Sequence, residues 1–546
     1  MENARWVGAS LHNSSILLYH APMILSDRSA LCVTAFGCGA AVMGVELTAT
    51  RLLAPYYGTS MVVWTMVIGV ILAAMSLGNV YGGRLADQPN GAQRIFSLIW
   101  WASIFVAGIA LWGKYLISAS FLLLLWVFPD SILATGTAAS CLFLFAPPCF
   151  LLGAATPCLI RLALRDLESS GRVTGELYAL STIGSLFGTF LPTFWMIPLM
   201  GTMRTFLVFA LVLNVLATWN LVREKISGRK SVVYTVLLML LCGCLSGQAF
   251  AFWKQPILET ESLYNYLRVD RFGTGLALST HVEVNFQSVY HPKQVLSGGY
   301  WDYPLAGPLF SSTLSLETPF RVLILGLGTG TFAKSCRWFY PNSEITGVEI
   351  DARIAEIASS HFEFTERDAK VVVEDARTYI QRNPEARWDM IFLDTYRDLT
   401  LPFHLTTLEF FQQLRERMTP GGVLVINVNL PTLGPGDLLN CIAKTVQAVW
   451  PNLWQCTVPG NVNTILFATS DENGAHRFLK ARENLPVNDP RRALFETITQ
   501  NLRPLKGEGT VLTDDLAPIE VLGERILDAM VRDGVREVFL RVLSVI

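Results

Sequence analysis

The stretch R-V-L-I-L-G-L-G-T-G-T-F-A-K, residues 321–334, decides how the second half of this chain reads. Five residues of apolar strand character run into three glycines at alternate positions, and a helical pattern follows. Gly326, Gly328 and Gly330 allow a tight turn and let backbone N–H groups approach a ligand closely. Further strand patterns at 345–350, 370–375, 388–394 and 421–428 alternate with helical ones. This predicts a mostly parallel sheet with helices on both faces, whose ligands bind outside the carboxyl ends of the strands. Ahead of it, residues 266–272, 276–281 and 288–290 read as short strands separated by glycine-containing turns.

Working back toward the N-terminus, the composition changes. The chain of 546 residues is 51% hydrophobic and 16% charged, with a mean hydropathy of +0.40, the balance of a membrane protein. Apolar runs long enough to cross a bilayer, roughly 20 residues each, lie at about 30–54, 61–82, 94–113, 135–158, 178–200, 204–222 and 231–252. A shorter run at 115–128 reads as an extra span, a re-entrant piece or an interfacial helix, so seven or eight helices are expected. The domains are then an N-terminal segment (1–28), a transmembrane domain (29–252), a small β subdomain (253–318) and a Rossmann-like domain with a C-terminal helix (319–546). The first 28 residues lack the pattern of a cleaved signal peptide.

Net charge is -2, which favours neither nucleic acid nor an acidic polymer as partner; the expected partners are a small-molecule substrate and the lipid bilayer, with a homodimer left open. Ten cysteines occur with no CxxC pair, so buried thiols are expected rather than a metal site. Glu46 and Arg51 fall within the first span, either lining a polar path or hydrogen-bonding and snorkelling. The G-G-R-L-A-D turn, residues 82–87, resembles the loop between the second and third helices of major-facilitator transporters.

Orientation pulls two ways. Arg84 and Arg94, then Arg161, Arg165 and Arg172, then Arg223, Lys225, Arg229 and Lys230 mark three loops as cytoplasmic. One further complete span puts the C-terminal half on the opposite face. A small-molecule ligand drawn from the cytosol argues for the cytoplasm, and the expectation is a multi-pass protein of a bacterial inner membrane with its C-terminal domain inside.

The strand tips carry the chemistry. Glu349 ends the second strand, 23 residues after Gly326, where a carboxylate can accept both ribose hydroxyls. Asp375 and the Ala376 amide close the third, placed to read an adenine edge, and Asp394 ends the fourth. Acids on the third and fourth tips fit an S-adenosyl sulfonium better than a nicotinamide dinucleotide, pointing to a fold of the S-adenosylmethionine-dependent methyltransferase type. The alternative is that these acids merely cap the following helices.

From about 259 to 520 the chain resembles the polyamine aminopropyltransferases, the spermidine synthase family, in the branch fused to transporter-like helices. E-S-L-Y-N (261–265), the glycine loop, V-E-I-D, E-D-A-R (374–377) and L-D-T-Y (393–396) carry the resemblance. P-F-H-L-T-T-L-E-F-F (402–411) and V-L-T-D-D-L-A-P-I-E (511–520) look like the fused branch. The resemblance implies Asp394 as the catalytic acid residue, with Tyr264 and Tyr396 closing the pocket or contacting the nucleophile. It implies a co-substrate, S-adenosylmethionine or its decarboxylated form, held by Asn265, Gly326, Gly328, Thr329, Gly330, Glu349, Asp375 and Ala376, and a substrate met by Asp302, Arg397 and His404, with no metal.

Three departures bear on the acceptor. Thr329 stands where the family has an Asp that pairs with the aminopropyl amine, Asn265 where it has Gln, and Arg397 where it has the second diamine-binding Asp. A guanidinium repels a diamine and binds a carboxylate in a fork. The expected activity is therefore alkyl transfer releasing methylthioadenosine to an acceptor other than putrescine. The alternatives are a lyase in which the substrate's own carboxylate displaces the sulfonium, a methyltransferase, and a transporter or sensor that only binds nucleoside or polyamine. Asp514 and Asp515 read as a solvated turn or cap in preference to a cation contact.

Overall fold

The computed structural model describes residues 26–128, 131–164, 169–224, 229–244, 256–281, 286–314, 318–396, 401–530 and 532. Arg397 lies outside them, as do Arg165, Lys225 and residues 245–255.

The first half is a helix bundle: α1 (Ser26–Tyr57), α2 (Met61–Ala86), α3 (Ile95–Val127), α4 (Ile132–Leu144), α5 (Ala146–Gly153), α6 (Ala155–Ala163), α7 (Ser170–Leu191), α8 (Ile197–Met200), α9 (Thr202–Arg223) and α10 (Arg229–Cys244). Among the described residues, six helical courses are long and apolar enough to cross a membrane: Arg28–Tyr57, Met61–Ala86, Ile95–Leu125, Ala146–Ala163, Ser170–Met200 and Thr202–Arg223. The separate run expected at 115–128 is corrected: it is the continuation of α3, because nothing between Gly113 and Pro129 breaks the backbone. The span expected at 135–158 is instead interrupted at Phe145 and Ala154, and that at 178–200 passes through a π-turn at Pro192–Met196. The last expected span is described only as the helix Arg229–Cys244.

Helix directions follow from contact order. Gly184 and Gly188 of α7 pack on Phe36 and Ala40 of α1, so these two run parallel at backbone contact; a β-carbon at Gly184 would lie 2.0 Å from the Phe36 carbonyl oxygen. Gly78 and Gly82 of α2 likewise meet Phe150 and Ala154. Small residues let helix backbones approach this closely. Asn220 of α9 reaches Thr34 of α1, and Gly44 meets Phe209, so α9 is antiparallel to α1. In consequence Arg28, Arg84, Arg94, Arg161, Arg172 and Arg223 gather at one end of the bundle, where Arg28 pairs with Glu176.

The catalytic half sits on the other end. Glu520 accepts from the Met61 amide at the start of α2, Glu261 from Thr202 at the start of α9, and Arg51, late in α1, donates to the Leu263 carbonyl. This half opens with an antiparallel sheet of β1 (Leu258–Glu261), β2 (Tyr266–Phe272), β3 (Gly275–Ser279) and β4 (Ser288–Tyr290). The first of these strands has no counterpart in the sequence reading.

An eight-stranded sheet follows: β5 (Arg321–Leu325), β6 (Glu344–Glu349), β7 (Lys370–Val373), β8 (Trp388–Leu393), β9 (Met418–Val428), β10 (Asn452–Thr457), β11 (Thr464–Thr469) and β12 (Leu502–Pro504). Their order is β12-β10-β11-β9-β8-β5-β6-β7, with β5 to β9 parallel and the rest antiparallel. The central strands β5 and β8 and the second half of β9 are buried on both faces, which is why they are nearly continuous apolar runs. Val322, Ile324, Met390 and Phe392 enter one core, beneath the 3-10 segment Tyr300–Phe310. Leu323, Leu325, Ile391 and Leu393 enter the other. The strand order reverses between β5 and β8, so a crevice opens at their carboxyl ends.

The α1–α7 contact predicts a contrast between two glycines on one helix. Gly184→Leu should abolish a monodisperse folded fraction in detergent, whereas Gly175→Leu, which faces open space, should leave elution and melting unchanged. Equal behaviour of the two would show that α1 and α7 are not packed in this register.

Candidate active site

The crevice holds a cavity of about 210 Å³ lined from both sheets, by Tyr264, Asn265, Thr280 and Gln287 on one side and Gly326, Glu349, Asp375 and Asp394 on the other. The glycine turn sets its floor. Gly326 (φ +89°), Gly328 (φ +56°) and Gly330 (φ +85°) all occupy the left-handed region, which a side chain adopts only with strain. A β-carbon at Gly326 would also lie 2.2 Å from the Asp394 carbonyl oxygen, and one at Gly328 2.5 Å from Ser288 Oγ.

Glu349 is buried at the tip of β6. Gly328 N–H donates to Oε2 at 2.9 Å and Asp351 N–H to Oε1 at 3.1 Å. Burial pushes its carboxyl up to about 7, opposed by those amides. Each oxygen keeps lone pairs for a diol. The glycine turn leads into α11 (Thr331–Phe339); Asp351 caps the next helix, α12 (Ala352–His361), through Arg353 N–H, and its other oxygen accepts from Ser262 Oγ at 2.5 Å and Asn265 Nδ2 at 3.0 Å.

Asp375 makes the helix cap weighed for it. Its Oδ1 accepts from Thr378 N–H at 2.9 Å, capping α13 (Ala376–Arg382), while Oδ2 lies 3.2 Å from His404 Nε2. The hydrogen bond with His404 draws the Asp375 carboxyl down to about 2. His404, expected on the substrate, therefore sits on the strand tip assigned to the adenine edge, because the 3-10 turn Phe403–Leu405 lies over α13.

Asp394 lines the cavity just past β8, on the same parity as Met390 and Phe392. It accepts from Asn427 Nδ2 at 2.8 Å and Tyr300 OH at 3.3 Å. Burial pushes its carboxyl up to about 6, against the pull of Asn427 and Tyr300. Asn427 is itself oriented by Asn463 Nδ2 on its Oδ1 at 2.8 Å. The result is a carboxylate of fixed orientation, raised above the ordinary carboxylate range.

Other expected residues fall differently. The Tyr396 ring lines the cavity, but its hydroxyl donates to the Asn427 carbonyl at 2.7 Å and accepts from Asn429 N–H at 2.6 Å, so it is a wall and not a hydrogen-bonding partner for a nucleophile. Asp302 is corrected from substrate contact to turn acceptor: buried, it takes Ser297 N–H, Ser297 Oγ and Gly298 N–H at 2.7–2.9 Å and does not line the cavity. Thr329 and Gly330 support the turn from behind, Thr329 giving its amide to Ser288 Oγ at 3.0 Å and Gly330 packing on Phe364. Ala376 lines the wall beside Asp375. Asp514, expected to be solvated, forms a fork with Arg377 at 2.7 and 2.6 Å and accepts from Thr407.

Tyr300, Asn427 and Asn463 escaped the sequence reading. The signals for the two asparagines were a polar residue inside the otherwise apolar β9 and another just before β11, brought within hydrogen-bond reach by the antiparallel pairing of these strands.

The chain is similar to several known proteins. Residues 309–479 match the spermine/spermidine synthase domain. Over 323 residues the chain is 34% identical to a probable polyamine aminopropyl transferase of Bifidobacterium longum, covering 56% of this chain and 71% of that one. It is also 34% identical over 165 residues to the eEF1A lysine and N-terminal methyltransferase of Bos taurus, 28% of this chain and 23% of that one. A crystal structure of a probable spermidine synthase from Corynebacterium glutamicum aligns at a TM-score of 0.38 and 19% identity, over 48% of this chain and 99% of that one. With one relative matched at this identity across most of its length, the chain belongs to the polyamine aminopropyltransferase (spermidine synthase) family of enzymes.

Proposed function

We propose that the protein is a membrane-anchored transferase that binds S-adenosylmethionine or its decarboxylated form, moves the alkyl arm to an acceptor other than putrescine, and releases methylthioadenosine. The observation that carries this reading is the Asp394 carboxylate, oriented by Asn427 and Tyr300 in the cavity that also presents Glu349 and Asp375. Glu349 would take the ribose hydroxyls and the Asp375–Ala376 tip the adenine edge, with Asn265 closing over them.

In the reaction a neutral amine attacks the carbon bonded to sulfur. The C–N bond forms while the C–S pair passes to sulfur, leaving a neutral thioether, and the new ammonium leaves the site charged and equilibrates its proton with water. An alkylammonium, with a pKa near 10.4, would not yield its proton to a carboxyl that titrates at about 6. Asp394 acts instead by orienting the neutral amine and stabilising the positive charge that grows on nitrogen as the bond forms. No carboxylate occupies the position of Thr329, and neutral Thr280 and Gln287 line the wall beside it, which supports an arm or acceptor that differs from the family's.

Methyl transfer is a second reading, favoured by the methyltransferase relative. Incubation of the purified protein with either sulfonium nucleoside, with and without amines, separates the cases by the nucleoside released. Methylthioadenosine formed only with an acceptor supports the transferase, and methylthioadenosine without one supports the lyase. S-adenosylhomocysteine supports methyl transfer, and binding without product would sink all three. Asp394→Asn should abolish turnover and leave nucleoside affinity within about twofold.

Turnover requires Asp394 ionised, so it should fall as pH drops through about 6. Asn427 stabilises the carboxylate, and Asn427→Leu should move that acid limb upward by about one unit, since a lost charge-assisted hydrogen bond is worth about 1.5 kcal/mol. An unmoved limb in a pH–kcat profile would mean that Asp394 is not the titrating group.

We further propose that the catalytic domain stands on the extracytoplasmic face, contrary to the expectation from the cofactor's origin. The support is positional: Arg28, Arg84, Arg94, Arg161, Arg172 and Arg223 share the bundle end away from it, whereas Arg51 and Arg204 lie at its own end and Arg51 is committed to Leu263. Basic residues are retained on the cytoplasmic side. A C-terminal alkaline phosphatase fusion should be active and a C-terminal green fluorescent protein fusion dark; the reverse pattern overturns this orientation.

A further inference from the structure

The turn that carries Tyr264 and Asn265 into the cavity is held from two sides. On the catalytic side, Ser262 Oγ and Asn265 Nδ2 both reach Asp351 Oδ2, and Ser262 Oγ also accepts from the Tyr264 and Asn265 amides at 3.1 and 2.9 Å. Asp351 in turn gives its amide to Glu349. On the membrane side, the buried Glu261 accepts from Thr202 N–H at 2.6 Å and from Thr202 Oγ1 at 2.5 Å, at the first residue of α9. Arg51 of α1 donates to the carbonyl of Leu263, in the middle of the turn. Tyr266, the first residue of β2, is buried in the same apolar core as the membrane-domain helices.

A short polar turn of this kind gains little rigidity from its own contacts, since Leu263 and Tyr264 are exposed and fixing each residue costs conformational entropy. The helix ends supply what the turn lacks. A helix N-terminus presents unsatisfied N–H groups that a carboxylate satisfies, and Glu261 meets the one at α9 from outside that helix.

We propose that Arg51 and Glu261 are positioning residues for the active site: through them the ends of α1 and α9 hold Tyr264 and Asn265 over the cavity, so the membrane bundle is part of the binding frame and not only an anchor. This rests on the nucleoside-binding reading of the cavity. A shift of α1 against α9 would then change nucleoside affinity without touching Asp394, Glu349 or Asp375.

The test uses the full chain in lipid nanodiscs, with methylthioadenosine as probe. Arg51→Met and Thr202→Val should each weaken its binding by roughly tenfold, the size expected for a charge-assisted hydrogen bond. They should raise KM with kcat changed less than twofold, and Arg51→Lys should recover part of the affinity. Amide hydrogen exchange should rise at 262–265 and stay unchanged in β5 and β8. Thr202→Val removes a single hydroxyl and provides the mild variant should Arg51→Met unfold. Unchanged affinity in Thr202→Val and Arg51→Met, or lost affinity with exchange rising throughout the catalytic domain, overturns the proposal. Failure of the wild type to bind methylthioadenosine sinks the nucleoside reading instead.

Discussion

Asp394 donates its amide to the Leu325 carbonyl at 2.8 Å, and Gly326 passes so near that a β-carbon would strike the Asp394 carbonyl. This backbone approach of the first strand's turn to the fourth strand's tip sets the rest of the site. It draws the tip acids around one crevice and leaves no room for any residue but glycine at 326. Parallel pairing of β5 with β8 makes the approach obligatory, because both strands end at the same level.

Around that contact the three acids acquire different properties from different surroundings. Glu349 is raised by burial, Asp375 is lowered by His404, and Asp394 is raised by burial with Asn427 and Tyr300 holding it in place. Three carboxyls of the same chemical class thus titrate apart. Such a spread suits separate tasks, one acid held in its charged form and two raised above the ordinary carboxylate range.

The helix bundle and the catalytic half meet through directed contacts. Helix ends, which carry unsatisfied amides, receive carboxylates from the catalytic domain at Met61 and Thr202. An arginine late in α1 returns the favour at Leu263. The first motif of the catalytic half, E-S-L-Y-N, therefore faces two ways, its Glu261 toward the bundle and its Asn265 toward the cavity.

Much of this was legible in the chain itself. Apolar runs, glycines at alternate positions and acids at strand ends follow from local periodicity and steric freedom, so the parallel sheet, the loop and Glu349, Asp375 and Asp394 could be read directly. What stayed hidden depends on residues far apart in sequence. Asn427 and Asn463 look like isolated polar residues until β9 and β11 pair and set one on the other, and Tyr300 means nothing until the 3-10 segment covers the face from which Asp394 emerges. His404 and Asp514 were misplaced because their partners, Asp375 and Arg377, are 29 and 137 residues away. Periodicity determines which face a side chain takes on its own element. Only packing decides which distant group it meets there, and in a low-dielectric interior that meeting sets its charge and its role.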